Sequence, residues 1–309
     1  MKRQVRRAPR DITQYKPGER VALDFHDFEM DYKGYTTILL ITDRASGYMW
    51  DYYLQPRRDT ADILTALKDF IPTMERQYGI NVRAVECDNE IITRFPGVEK
   101  WLHDQRVRTE PSPAYTQSLN GAAERSGGMV KNTIRAMAIG ANFPDTLWRE
   151  ISKTAVYLLN RTPRKRLRWK TLYECFYIQP GGQRKKPNLA HLRVFGCRAY
   201  AMTPTAQKKG QRLKRLDPRA WIGYLLGYDS TNVYRVWVPT KKEDPIIRIR
   251  DVIFDEETTF SGRVEELKEG IREMSVNQLS QLLQTFMIPE PEGDRQVQPA
   301  EEEPWEVRY

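Results

Sequence analysis

Long apolar runs are missing from this chain. The longest, such as Ile38-Leu39-Leu40-Ile41, are strand-sized, far below the ~20 residues a membrane-spanning helix needs. Cysteine and histidine are scarce. Cys87, Cys175 and Cys197 are odd in number and far apart, which argues against a disulfide framework. His26, His103 and His191 fall at no zinc-ligand spacing with one another or with the cysteines, which argues against a structural zinc module. The amino-terminal residues lack the apolar segment of a secretory signal: Lys2, Arg3, Arg6, Arg7 and Arg10 are followed by polar residues. A reducing compartment is the expectation. No internal repeat is found.

What is present is enough to fold. The 309 residues, 40% apolar and 11% aromatic, can bury a sizeable core as one large domain or two ordinary ones. The net charge of +9 hides an asymmetry: residues 1–250 carry 45 basic and 26 acidic groups, residues 251–309 only 5 basic and 15 acidic. The body is strongly cationic. Nucleic acid, an acidic protein and an anionic membrane surface are all candidate partners on charge alone.

After a basic arm over 1–14, Val21 to Phe25 alternates as a strand does, Tyr35 to Thr42 reads as a more buried strand and Tyr48 to Leu54 as a third, with a hairpin turn at Asp43 to Gly47. Ile63, Leu64, Leu67, Phe70, Ile71, Met74 and Tyr78 then recur at helical steps, and Gly79 is placed to end that helix. A strand over Val82 to Cys87 leads into Asp88. A helix holding Val98, Trp101 and Leu102 follows, then a brief strand at Val107 to Thr109 and an extended loop over Glu110 to Ser118. A long helix from about Asn120 to Ile139 precedes another that begins at Asp145, a candidate N-cap. This order predicts an α/β domain over 15–163 with a mixed five-stranded sheet, antiparallel first and parallel afterwards.

From Arg161 the character changes: Arg161, Arg164, Lys165, Arg166, Arg168 and Lys170 put six positive charges into ten residues. We read 164–190 as a basic linker. Leu192 to Tyr200, Trp221 to Leu226, Val233 to Val238 and Ile246 to Phe254 are short apolar runs with turn-like separators, the spacing of a small mainly-β module over 191–260. Residues 261–309 read as a short helix and a flexible acidic tail around Glu301-Glu302-Glu303.

Three acids fall where one sheet edge could gather them: Asp24 in the first strand, Asp88 just past the fourth, and Glu124 in the first turns of the long helix. Each also has an ordinary reading, as an exposed strand residue, a turn former and a helix-start acid. Glu124, Gly127 or Gly128, Lys131 and Arg135 follow helical spacing, so the cations lead away from the acid along one face. Trp169, inside the basic stretch, could stack on a base or simply pack. His26 reads as a neighbour of Asp24 rather than a ligand, and Cys87 as a small apolar residue ending its strand.

The context sharpens these choices. Ala114-Tyr115-Thr116-Gln117-Ser118-Leu119-Asn120-Gly121-Ala122-Ala123-Glu124-Arg125 and Glu86-Cys87-Asp88-Asn89-Glu90, taken with Asp24, resemble the catalytic core of retroelement integrases of the ribonuclease-H-like superfamily, specifically the copia type of long-terminal-repeat retrotransposon. Leu147-Trp148, Asn160-Arg161-Thr162-Pro163, Leu192 to Cys197, Gly223 to Tyr228 and Arg250 to Asp255 match the same type in order, over roughly residues 15–260. The resemblance implies a polynucleotidyl transferase in which Asp24, Asp88 and Glu124 hold two Mg²⁺ or Mn²⁺ ions, with Asp24 bridging both, Asp88 on one and Glu124 on the other. Hard divalent cations favour such all-oxygen ligands.

It further implies DNA contacts at Tyr115, Asn120 and Lys131. Arg135 and the stretch of Arg164, Lys165, Arg166 and Arg168 are added on charge. The implied partners are element ends and a target duplex, with RNA left open, a homo-oligomer in the active state, and a nuclear place of action. Integrases of this type also carry an amino-terminal His/Cys zinc domain, whose ligands do not precede the first strand here, so a truncated or decayed copy is one expectation. Two other functions stay beside the leading one: a non-catalytic DNA- or RNA-binding protein derived from such an element, and a nuclease acting on RNA in hybrids, which the Asn120 to Arg125 context fits poorly.

Overall fold

The computed structural model describes residues 15–56, 60–88, 94–111, 117–178, 182–203, 220–241 and 243–264, and no side chains over 111–124. These residues divide into two compact units, the first drawn from Met1–Ala136 with Pro144–Asn188, the second from Met137–Phe143 with Leu189–Tyr309.

In the first unit β1 (Arg20–Asp27), β2 (Thr37–Asp43), β3 (Met49–Leu54), β4 (Ala84–Cys87) and β5 (Arg108–Pro111) form one sheet in the order β3-β2-β1-β4-β5. β1, β2 and β3 pair antiparallel, and β1, β4 and β5 pair parallel. This is the mixed five-stranded sheet that the sequence predicts. β2, whose sequence is a nearly unbroken apolar run, is buried at every position. The β2–β3 hairpin closes on Asp43, whose carboxylate accepts from the Gly18 amide at 2.8 Å, the Ser46 amide at 2.7 Å and the Ser46 hydroxyl at 2.5 Å.

The first helix, α1 (Thr60–Tyr78), buries Ile63, Ala66, Leu67, Phe70 and Met74, the stripe legible in the sequence. Gly79, at φ +63°, ends it in the left-handed conformation, with the Gly79 amide donating to the Glu75 carbonyl and the Ile80 amide to the Met74 carbonyl, both at 3.0 Å. Next come α2 (Pro96–Asp104), α3 (Gln117–Ala141), α4 (Trp148–Arg161) and α5 (Leu172–Phe176). Two expectations change here. Asp145 does not cap α4: it opens a single 3₁₀ turn, Asp145–Leu147, and the helix proper starts at Trp148. The stretch read as a basic linker also contributes to the core, because the α5 capping box at Thr171 and Glu174 presents Leu172, Tyr173 and Phe176 inward, with Phe176 stacked on Tyr48 at 4.9 Å.

β3 lies at one edge of this sheet, and α4 covers part of it. The Asn160 side chain accepts from the Met49 amide at 3.0 Å and donates to the Met49 carbonyl at 2.8 Å, so a carboxamide satisfies the outer edge of β3, beyond which no strand pairs among the described residues. That gives the Asn160-Arg161-Thr162-Pro163 motif a physical purpose. Arg161 folds back over the Tyr157 ring at 3.5 Å.

The second unit is a separate five-stranded antiparallel sheet in the order β10-β6-β7-β8-β9, built from β6 (Cys197–Met202), β7 (Ala220–Ser230), β8 (Val233–Trp237), β9 (Ile246–Ile249) and β10 (Val252–Thr259). Ala199, Ala201, Val236, Val238 and Ile249 form a core cluster, with Trp221, Tyr234 and Phe254 packed against it. The run Ile246 to Phe254, read as one apolar stretch, is broken at Arg250 and Asp251 into two strands. The tail beyond residue 264 lies outside the described residues.

Candidate active site

β1 and β4 run parallel, with Arg20 opposite Ala84, Val21 opposite Val85 and Ala22 opposite Glu86. Asp24 and Asp88 each lie two residues beyond the last of these pairs, Asp24 within β1 and Asp88 one residue past the carboxyl end of β4, on strands about 5 Å apart where they pair. Because side chains alternate along a strand, Arg20, Ala22, Asp24 and His26 share one face, and Ala84, Glu86 and Asp88 share the same face of β4. Asp24 is half-buried, whereas Asp88 stands exposed past the strand end.

The face leading up to this pair is tied by charge. Arg20 lies between Glu86 and Glu110, 2.5 Å from the latter, and Arg44 meets the other oxygen of Glu86 at 2.9 Å. Arg108 also pairs with Glu110 and meets the Tyr15 hydroxyl. Glu86 is almost wholly buried, so its charge needs both arginines. Sequence reasoning assigned nothing to Arg20, Glu86 or Glu110, which nevertheless brace the two strands that carry the acids.

His26 connects the sheet to α3. Its Nε2 is 3.3 Å from an Asp24 carboxylate oxygen, and a Cβ placed on Gly127 would come within 2.0 Å of the same nitrogen. Only a residue without a side chain fits there. The contact sets the turn of α3 that follows Glu124 against the Asp24 end of β1. Burial, and next the charge of Lys131, pull the His26 pKa down to about 4, against the opposing effect of Asp27. The imidazole is therefore neutral at pH 7, and its approach to Asp24 is a contact with a dipole rather than an ion pair.

Of the predicted site residues, Asp24 lies in β1 and Asp88 one residue past β4, its parallel neighbour, and Glu124 lies within the α3 backbone with its side chain outside the described residues. Tyr115 also lies outside them, as does the Asn120 side chain. Lys131 and Arg135 are exposed on α3, Lys131 close enough for its charge to reach His26. Lys165, Arg166 and Arg168 are exposed in the stretch after α4. Arg164 differs: it is half-buried and donates, at a long 3.4 Å, to the Leu159 carbonyl. Among the described residues no group of three or more His, Cys, Asp or Glu is gathered in a way that could hold a metal ion. No described helix is long and apolar enough to cross a membrane.

Gly127 is the functional position that the sequence reading left open. Its signal was the Gly127-Gly128 pair in mid-helix, a costly choice that points to close approach by something else. Cys87, read as a small apolar strand end, is buried, and burial followed by the charges of Asp88, Glu99 and Glu86 raises its thiol to about 12.

The chain thus combines a mixed five-stranded sheet with flanking helices, an arrangement resembling an integrase catalytic core, and a separate all-antiparallel module. The second unit matches the family model described as a retroviral polymerase SH3-like domain, over residues 197–268. The homologues of the chain are retrovirus-related Pol polyproteins from plant copia-like transposons. One, from transposon TNT 1-94 of Nicotiana tabacum, is 32% identical over 232 residues, covering 74% of this chain and 16% of that protein. Another, from transposon RE2 of Arabidopsis thaliana, is 25% identical over 190 residues, covering 61% of this chain and 12% of the relative. The chain thus spans a sixth or less of the length of these relatives. Solved structures that align with it include the HTLV-2 integrase catalytic core domain in complex with magnesium, at TM-score 0.40 and 15% identity over 52% of this chain and 98% of that one. A simian T-cell lymphotropic virus intasome in complex with a PP2A regulatory subunit aligns at TM-score 0.45 and 14% identity, over 76% of this chain and 77% of that one.

Proposed function

We propose that this chain is the catalytic region of a retrotransposon integrase, a polynucleotidyl transferase that joins a DNA 3′ end to a phosphodiester of a target duplex. The observation that supports this reading is the parallel pairing of β1, which carries Asp24, with β4, which leads into Asp88, together with the close approach of α3 to β1 through Gly127 and His26. The donors are carboxylate oxygens, which suit Mg²⁺ or Mn²⁺. Asp24, Asp88 and Glu124 would be the residues to hold these ions. Bound there, the ions supply charge to both the attacking and the leaving oxygen of an in-line displacement.

The chain's own residues do the remaining work. The Arg20–Glu86–Arg44 cluster fixes the strand ends from below, so the two aspartates meet a substrate without rearranging. His26 keeps a neutral ring beside Asp24, leaving that carboxylate its charge. Lys131 and Arg135 receive the phosphate backbone, and Tyr115 and Asn120 orient the strand as it enters. The partners in this reading are element ends and a target duplex, assembled by a homo-oligomer acting in the nucleus.

A disintegration and strand-transfer assay in Mn²⁺ and in Mg²⁺ tests the reading. Metal-dependent joining that disappears in Asp88→Asn is expected; joining that survives the substitution would put the chemistry elsewhere. The exposed Lys165, Arg166 and Arg168 favour one second reading, a non-catalytic DNA- or RNA-binding protein. Salt-dependent binding with no metal-dependent joining selects it.

A further inference from the structure

The stretch that joins α4 to α5 folds into a tight loop. Arg164 and Lys170 form an isolated antiparallel bridge, the Arg164 amide donating to the Lys170 carbonyl at 3.0 Å. Inside it the Arg168 amide donates to the Lys165 carbonyl and the Trp169 amide to the Arg164 carbonyl, both at 3.0 Å. Both ends are anchored, one by Arg161 over the Tyr157 ring and the other by the Thr171 capping box. The loop is therefore presented in a fixed shape.

Two features are not explained by folding. Arg168 and Trp169 hold successive left-handed conformations, φ 54° and 64°, where glycine or asparagine would sit with less strain. Trp169 is also 70% exposed, while every other described tryptophan is buried or half-buried. A large indole on a strained backbone, pointing to solvent between cations, gains nothing for the core. Strained, exposed positions of this kind are retained where a side chain meets a ligand.

We propose that this loop is a stacking site for an unpaired nucleotide, with the Trp169 indole taking the base face and Lys165, Arg166, Arg168 and Lys170 taking the flanking phosphates. A duplex hides its base faces, so the indole adds affinity only for a single strand or a frayed end, whereas the cations attract any phosphate backbone. The nearest carboxylate in sequence, Glu174, accepts from the Thr171 amide and hydroxyl rather than from these cations. The proposal deepens the nucleic-acid reading above and rests on it. It concerns strand state rather than chemistry, so it can fail while joining succeeds, and the reverse.

The test uses the full chain with oligothymidylate, oligouridylate and a blunt duplex, each followed by anisotropy, and with 2-aminopurine in a single strand as a stacking reporter. Trp169→Gly removes the indole and relieves the backbone, so its melting temperature should be unchanged or higher. Its affinity for the single strand should fall roughly 5- to 100-fold with loss of 2-aminopurine quenching, and Trp169→Phe should restore much of both. Duplex affinity should change by less than about 2-fold, because phosphate contacts carry it. The oligothymidylate and oligouridylate arms tell DNA from RNA as the source of the base. Equal loss on single strand and duplex, no loss on either, or displacement by polyglutamate as readily as by oligothymidylate would overturn the proposal. Activity of Asp88→Asn in joining has no bearing on it.

Discussion

Gly127 and Gly128 are neighbours in α3, yet the same substitution at each should move stability in opposite directions. Alanine in place of glycine inside a helix gains about 1 kcal/mol from the smaller entropy lost on folding. Gly128 has nothing within 4 Å of a built Cβ, so Gly128→Ala should realise that gain. At Gly127 the added carbon would sit 2.0 Å from His26 Nε2 and 2.1 Å from Cε1, whereas non-bonded atoms prefer about 3.5–4.0 Å. His26 is only 6% exposed, and its ring is held between the Asp24 end of β1 and the helix, so it has no empty space to enter. Overpacking of this kind costs about 1–3 kcal/mol. After the propensity gain is subtracted, Gly127→Ala should lie about 1–3 kcal/mol below Gly128→Ala in urea unfolding followed by circular dichroism. Adding His26→Ala removes the clash, and the coupling in the double-mutant cycle should be about 1–3 kcal/mol. Equal stability of the two alanine variants, or a cycle that closes near zero, would refute the close approach and with it the placement of α3 beside Asp24.

Two further outcomes follow from buried groups. Asn160→Ala strips both partners from the buried Met49 backbone, and at about 1–3 kcal/mol for each of the two unsatisfied groups the loss should be about 2–6 kcal/mol, with faster exchange of the Met49 amide; an amide that stays protected would disprove the bridge. Burial raises the Cys87 and Cys197 thiols from 9.0 to about 12, while Cys175 is half-buried, so native protein at about pH 8 should alkylate at Cys175 and at the other two only after denaturation. Folded values above the unfolded ones mean that this contribution to stability is complete below pH 9.0 and is lost as pH climbs toward about 12. Three labelled thiols in the native state would contradict it.

Periodicity carried most of the fold. The α1 stripe, the unbroken β2 run and the change from antiparallel to parallel strands all rest on short-range pattern, which local propensity and burial enforce. The strand positions of Asp24 and Asp88 were legible for the same reason, in β1 and just past β4. What escaped depends on pairs distant in sequence. His26 meets Gly127, Arg20 meets Glu86 and Glu110, and Asn160 meets Met49, and no spacing announces such contacts. The basic stretch misled in another way: its charges suggested a linker, but Leu172, Tyr173 and Phe176 are an apolar triplet at helical spacing that finds the Tyr48 cluster. Asp145 followed the N-cap rule by residue type, yet the backbone spends it on a 3₁₀ turn.

The two outer strands of the first sheet share a property. At β3 the backbone of Met49 is already satisfied by Asn160. At the opposite border, β5 carries the charges of Arg108 and Glu110 and ends in Pro111, which has no amide hydrogen to offer. Charge, proline and a covering side chain are the devices by which natural sheets refuse foreign strands. This sheet is therefore sealed against growth by strand addition at those points, which guards a strongly cationic protein from fibrous self-association at high concentration.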